Sequence, residues 1–125
     1  MLLIDAANVM GSRPDGWWRD RAGAARRLVA GVRAAVAAGR LSPPVVVVLE
    51  GRARSGVDEG DGDGVRVVHA PGSGDDELVR LAAEPGDGRA MGVVAVTADR
   101  GLRRRLEAGG AEVVGPSWLL ARMAP

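Results

Sequence analysis

The run Val45-Val46-Val47-Val48-Leu49 constrains the fold more than any other stretch of the chain. Five consecutive aliphatic residues, four of them β-branched, favour an extended strand, and the lack of polar alternation means that both faces are covered. Such a strand belongs inside a parallel sheet with helices on either side. Four more short runs fit the same sheet: Leu2 to Ile4, Val65 to Val68, Val93 to Val96 and Glu112 to Val114. Helical patterns separate most of them. The first, from about Trp17 to Ala38, aligns Trp18, Ala22, Ala25, Leu28, Val29, Val32 and Val36 on one face, which assigns Trp18 to the core. A second runs from about Asp75 to Glu84 and stops at Pro85-Gly86, a third from Asp99 to Ala108 stops at Gly109-Gly110, and a last one starts at Ser117. Arg52 to Gly64, rich in Gly and Asp and without periodicity, reads as a mobile surface loop. The expected fold is α/β: a three-layer α/β/α sandwich around a mostly parallel sheet of about five strands, built as one domain over residues 1–125.

Composition narrows the chemistry. There is no cysteine and a single histidine, His69, which reads as structural, so any metal must be held by oxygen. Seventeen basic residues, all arginine, oppose 16 acidic ones, and a net charge of +1 neither requires nor excludes a polyanionic partner. Met1-Leu2-Leu3-Ile4 runs straight into Asp5, without a basic leader or an apolar stretch long enough for a signal peptide or membrane span, so the expected location is cytoplasmic with no membrane partner. The chain lacks the G-x-x-x-x-G-K-[ST] and G-x-G-x-x-G fingerprints of nucleotide-binding loops. Without any lysine it is no phosphate-receiving regulator domain, and Ala7 stands where a haloacid-type phosphatase needs its second Asp. A calcium loop read from Glu59 fails at Ala70, where the bidentate acid belongs.

The acids carry the functional signal. Asp5 follows the first strand, Glu50 the second, Asp75 and Asp76 the third, and Asp99 the fourth. In a parallel sheet those carboxyl ends share one edge, where open α/β sheets bind ligands, and neighbouring strands lie about 4.8 Å apart. Carboxylates crowded there repel one another unless a divalent cation neutralises them, and an oxygen-only donor set selects Mg²⁺, Mn²⁺ or Ca²⁺ over zinc. A metal so held can activate water against a phosphodiester. Asp75 and Asp99 also stand where helix N-caps are expected, the ordinary role of such residues. Asp5, in an apolar run, is harder to explain structurally.

Taken in order, Asp5-Ala6-Ala7-Asn8, Ser73-Gly74-Asp75-Asp76-Glu77-Leu78-Val79-Arg80-Leu81-Ala82 and Val96-Thr97-Ala98-Asp99 resemble the NYN group of PIN-like ribonucleases, particularly its YacP-like bacterial members. The ending Val47-Val48-Leu49-Glu50-Gly51 is similar to that of the second strand in the related flap nucleases, where an Asp stands in the Glu50 place. The resemblance spans most of the chain. It implies a PIN-like, Rossmann-like fold, Mg²⁺ or Mn²⁺ as cofactor, and RNA as substrate, single-stranded or structured. Asp5, Asp76 and Asp99 become the expected metal ligands, joined by Glu50, with Asp75 assisting catalysis, Asn8 orienting Asp5 or a phosphate, and Thr97 steadying the Asp99 turn. Arg103 departs from the pattern, since some relatives carry another acid there.

Arg13, Trp17, Arg19, Arg52, Thr97 and Arg100 are the expected substrate contacts, with guanidinium groups on phosphates and indole on a base. Self-association as a homodimer stays open. The alternative to an enzyme is a PIN-like module of weak or lost activity that binds RNA or a protein partner.

Overall fold

In a computed structural model, residues 1–84 and 92–125 are described, so the expected helix stop at Pro85-Gly86 lies outside them. Six strands form one sheet: β1 (Leu2–Asp5), β2 (Val45–Leu49), β3 (Gly60–Gly62), β4 (Val65–His69), β5 (Val94–Val96) and β6 (Glu112–Val114). The spatial order is β3-β4-β2-β1-β5-β6, and every pairing is parallel except that of β3 with β4. Among the described residues, five α-helices flank it: α1 (Ala6–Gly11), α2 (Arg21–Ala37), α3 (Gly74–Ala83), α4 (Arg100–Ala108) and α5 (Pro116–Met123).

The valine run behaves as its composition demands. Val45, Val47 and Leu49 join Leu2 and Ile4 against α1, α2 and α5, meeting Val9, Leu28, Val29, Val32 and Leu119. Val46 and Val48, pointing the other way, join Leu3 and Ala95 against Leu78 and Leu81 of α3 and Leu102 and Leu106 of α4. Two dry layers therefore clamp one sheet in the PIN-like three-layer arrangement. None of the helices among the described residues is long and apolar enough to cross a membrane.

Three local differences from the sequence reading have physical causes. The sixth strand, β3, lies inside the segment expected to be a mobile loop. Its partners are Gly60 with Val67, Asp61 with Arg66 and Gly62 with Val65, which leaves Asp63 and Gly64 as a two-residue turn with φ of 54° and 82°. Asp-Gly with both residues left-handed is the turn whose twist matches a hairpin, so backbone pairing makes a strand that has no apolar pattern to reveal it. Upstream, Gly51–Gly56 forms a 3-10 segment that buries Ala53, and at Gly56 a methyl group would collide with the Ala22 carbonyl oxygen of α2.

The expected Trp17–Ala38 helix is also divided. Asp20 breaks it by accepting a hydrogen bond from Gly23 N at 2.9 Å, so α2 begins at Arg21 while Trp17–Arg19 is a separate 3-10 turn. Its phase is therefore its own, and Trp18, expected in the core, is 55% exposed. Finally, α1 follows β1 directly, a helix too short at six residues to show periodicity in the sequence.

Candidate functional site

Chain direction reverses across the sheet at β1. From β1 the chain proceeds to β2 on one side, and from β4 it crosses to β5 on the other, which opens a crevice at the carboxyl ends of β1 and β5. The registers Asp5 to Val48, Leu49 to His69 and Ile4 to Val96 bring Asp5, Glu50 and the Thr97-Ala98-Asp99 turn to similar heights.

Asp5 is at the centre and is buried. One carboxylate oxygen accepts from Asn8 N at 3.4 Å as the N-cap of α1, and the other accepts from Thr97 Oγ1 at 2.8 Å. Thr97 Oγ1 in turn accepts from Asp99 N at 3.2 Å, and Asn8 Oδ1 accepts from Ala98 N at 2.7 Å. The ends of β1 and β5 are thus tied by side chains 90 or more positions apart. Asp99 caps α4 by accepting from Leu102 N at 2.8 Å, as helix-start logic expects, while remaining exposed toward the crevice. Glu50 accepts from Gly74 N, the first residue of α3, at 2.9 Å. A methyl group on Gly74 would stand 3.1 Å from the Glu50 carboxyl, so glycine leaves room for the close approach.

Electrostatics single out the same residues. Burial pushes the Asp5 carboxyl up to about 6 against the lowering effect of its Thr97 and Asn8 bonds, with further upward push from Asp75 and Glu50. Asp75 is also raised, by burial first and then by Asp99 and Glu50, while Arg105 opposes the rise and Asp76 adds a smaller upward push. The charges of Asp75 and Glu50 thus act on Asp5, and those of Asp99 and Glu50 on Asp75, which links these four acids in one set.

Asp76 is turned away from that set. Its carboxylate is 73% exposed and accepts from Arg105 Nη2 at 2.9 Å. Ser73 caps α3 by accepting from Asp76 N at 3.3 Å, and this fixes the helical phase so that Asp75 rather than Asp76 faces the other acids. Sequence reasoning missed Arg105, whose proximity arises only when α4 packs beside α3. Among the described residues, no three acidic or imidazole side chains converge closely enough to chelate one ion as they stand.

The expected substrate contacts scatter. Thr97 is 2% exposed and spends its hydroxyl on Asp5, so it positions the site and cannot touch a substrate, contrary to expectation. Trp17 and Glu50 line a cleft of about 400 Å³ together with Ala7, Arg21 and Gly51. Arg19 and Arg52 line the neighbouring groove, while Arg13 and Arg100 are exposed after α1 and at the start of α4. Arg103 pairs with Glu107 at 2.9 Å. The His69 ring is engaged within the protein, its Nε2 lying 2.7 Å from the Val57 carbonyl oxygen.

No family model and no curated protein matches the chain. Solved structures of Rae1 (YacP) from Bacillus subtilis do: one has a TM-score of 0.72 at 20% identity, covering 98% of this chain and 72% of that one. A single-substitution mutant of the same protein gives 0.67 at 19% identity over 98% and 73%. Nearly the whole of this chain therefore has the fold of Rae1 (YacP).

Proposed function

We propose that the chain is a divalent-metal-dependent ribonuclease that hydrolyses RNA phosphodiester bonds at the carboxyl edge of its sheet, and that it belongs with the YacP-like members of the NYN group. The observation that carries this reading is the repelling set Asp5, Glu50, Asp75 and Asp99, gathered where a fold of this class binds ligands. Packing four carboxylates together costs free energy that a bound cation returns, and nothing but oxygen is offered to it. Mg²⁺ or Mn²⁺ would suit this all-oxygen donor set, with one or two of Asp5, Asp75, Asp99 and Glu50 binding directly, the others through bound water, and Asp76 able to join once released from Arg105. Spacing wider than a one-ion chelate is compatible with Mg²⁺, which keeps several waters and takes only one or two carboxylates directly.

When bound, such an ion supplies an activated water and stabilises charge developing on the phosphate. Around it the chain's own residues have separate tasks. Thr97 and Asn8 hold Asp5 and the Asp99 turn in register, and Arg100, beside Asp99, is placed to meet a phosphate. The wide spacing of the acids and the Arg105 to Asp76 pair favour one second reading, a module that binds RNA without cutting it.

Incubating end-labelled single-stranded RNA with Mn²⁺, with EDTA and with the Asp99→Asn protein separates the two. Metal-dependent cleavage that falls by about 100-fold or more in the variant is the expected result. RNA binding without cleavage, indifferent to the mutation, would leave only the binding module.

A further inference from the structure

Beyond the acid set, the molecule carries a second charged feature of opposite sign. Arg19, Arg21, Arg52 and Arg54 line an open groove of about 670 Å³ between the start of α2 and the 3-10 segment Gly51–Gly56. The one acid in its wall, Asp20, is engaged as the cap of α2. Arg54 is held in place by the carbonyls of Gly51 and Ala70, at 3.1 and 3.4 Å. This groove and the cleft that reaches Glu50 share Arg21 and Gly51, so the two are continuous. Trp17 stands in the wall of the connecting cleft, with Arg21 over its ring at 5.5 Å. Beside it, exposed Trp18 meets Trp17 edge to face at 6.2 Å and carries Arg19 over its ring at 5.6 Å.

We infer that this groove is the binding track for single-stranded RNA, which leaves the acid set past Trp17 and lays its backbone along Arg21, Arg52, Arg54 and Arg19, with a base against Trp18. Guanidinium groups along a groove neutralise phosphates, and an indole offers a stacking face to any base. A duplex hides its base faces, so the indole contact requires an unpaired strand. An acidic peptide would satisfy the arginines and leave the indoles without a role. Nothing in the groove reads base identity, so binding is sequence-tolerant.

The direction of the track rests on the nuclease reading, but its existence is measured without cleavage. The experiment is fluorescence anisotropy of a short labelled oligouridylate in EDTA over a range of salt. The Arg21→Ala/Arg52→Ala protein is expected to bind about tenfold more weakly and to lower the salt slope by about 1.4, two contacts at about 0.7 each. Trp18→Ala is expected to weaken binding about tenfold at unchanged slope. Arg33→Ala/Arg104→Ala, with the same change of charge on other exposed surfaces, is expected to stay within about twofold. All these side chains are exposed, and thermal melting monitored by circular dichroism checks that each variant is folded.

Equal losses in the two arginine pairs would reduce the groove to bulk charge and overturn the inference. So would an unaffected groove variant, a matched duplex or deoxy-oligomer bound about tenfold more tightly, or polyglutamate bound as well as RNA. Groove-dependent binding by a protein that never cleaves RNA would sink the nuclease reading and leave the track standing.

Discussion

The two ends of the sheet handle charge in opposite ways. At the amino end, Arg40 Nε donates to the Arg122 carbonyl at 3.0 Å, and the Arg122 guanidinium lies 3.8 Å from the centre of the Trp118 ring while donating to the Trp118 carbonyl at 3.1 Å. There, cations close the last turn of α5, a use of arginine that adds to stability. At the carboxyl end, burial with the charges of Asp75 and Glu50 raises the proton affinity of Asp5, and burial with Asp99 and Glu50 raises that of Asp75. One end is finished by its own contacts, whereas the other is held in an arrangement that stores repulsion. That asymmetry is what the proposed ligand site would leave in a fold otherwise built for burial.

The sharpest test is Asp5→Asn. Cleavage should fall by about 100-fold or more, while stability in metal-free buffer rises. The folded state holds the Asp5 proton more tightly than the unfolded chain does. Its stabilising contribution is therefore fully present below the ordinary value of 3.8 and is lost as pH rises through about 6. The amide variant should exceed the parent by about 3 kcal/mol in urea unfolding at pH 8, with the difference nearly gone at pH 3.5. A variant less stable at pH 8 would show that Asp5 is an ordinary structural residue.

Packing offers a test that would blur the contrast. Gly56→Ala places a methyl against backbone at the carboxyl end, with no flexible side chain to yield, and should cost about 1–3 kcal/mol. Unchanged thermal stability would mean that the 3-10 segment does not seat against α2. Arg40→Ala, at the opposite end, should lose about 1 kcal/mol and leave cleavage unaltered. If cleavage fell with it, the two ends could not be treated as separate. The smallest effect is expected at the rim. Arg105→Gln removes the cation that competes for Asp76 and Asp75, and should lower the Mn²⁺ concentration for half-maximal thermal stabilisation by about threefold. An increase would make Arg105 a helper of the site rather than its competitor.

The sequence reveals these features unevenly, for reasons that can be named. Residues 45–49 identify a strand buried on both faces because nothing in them is polar, and acids directly after such strands must lie at a common edge. Gly60–Gly62 yields no such inference, because its strand is made by backbone bonds to β4 and all three residues are exposed; the Asp63-Gly64 turn was its one readable sign. Trp18 satisfies the periodicity of α2 on paper, but Asp20 resets the phase before the helix begins. The choice between Asp75 and Asp76 depends on about 100° of helical rotation set by the Ser73 cap, which adjacent acids in a sequence cannot disclose. Arg105 is a matter of tertiary packing alone.

The bond from Thr97 to Asp5 spans 92 positions, and that from Asn8 to Ala98 spans 90. Neither can form while a ribosome has yet to deliver β5, so a growing chain that has already folded its first four strands still lacks half of the crevice. The crevice is complete only when the fifth strand lies against the first. A site assembled this way exists only in the chain whose two halves have met, and no fragment that ends before β5 contains it.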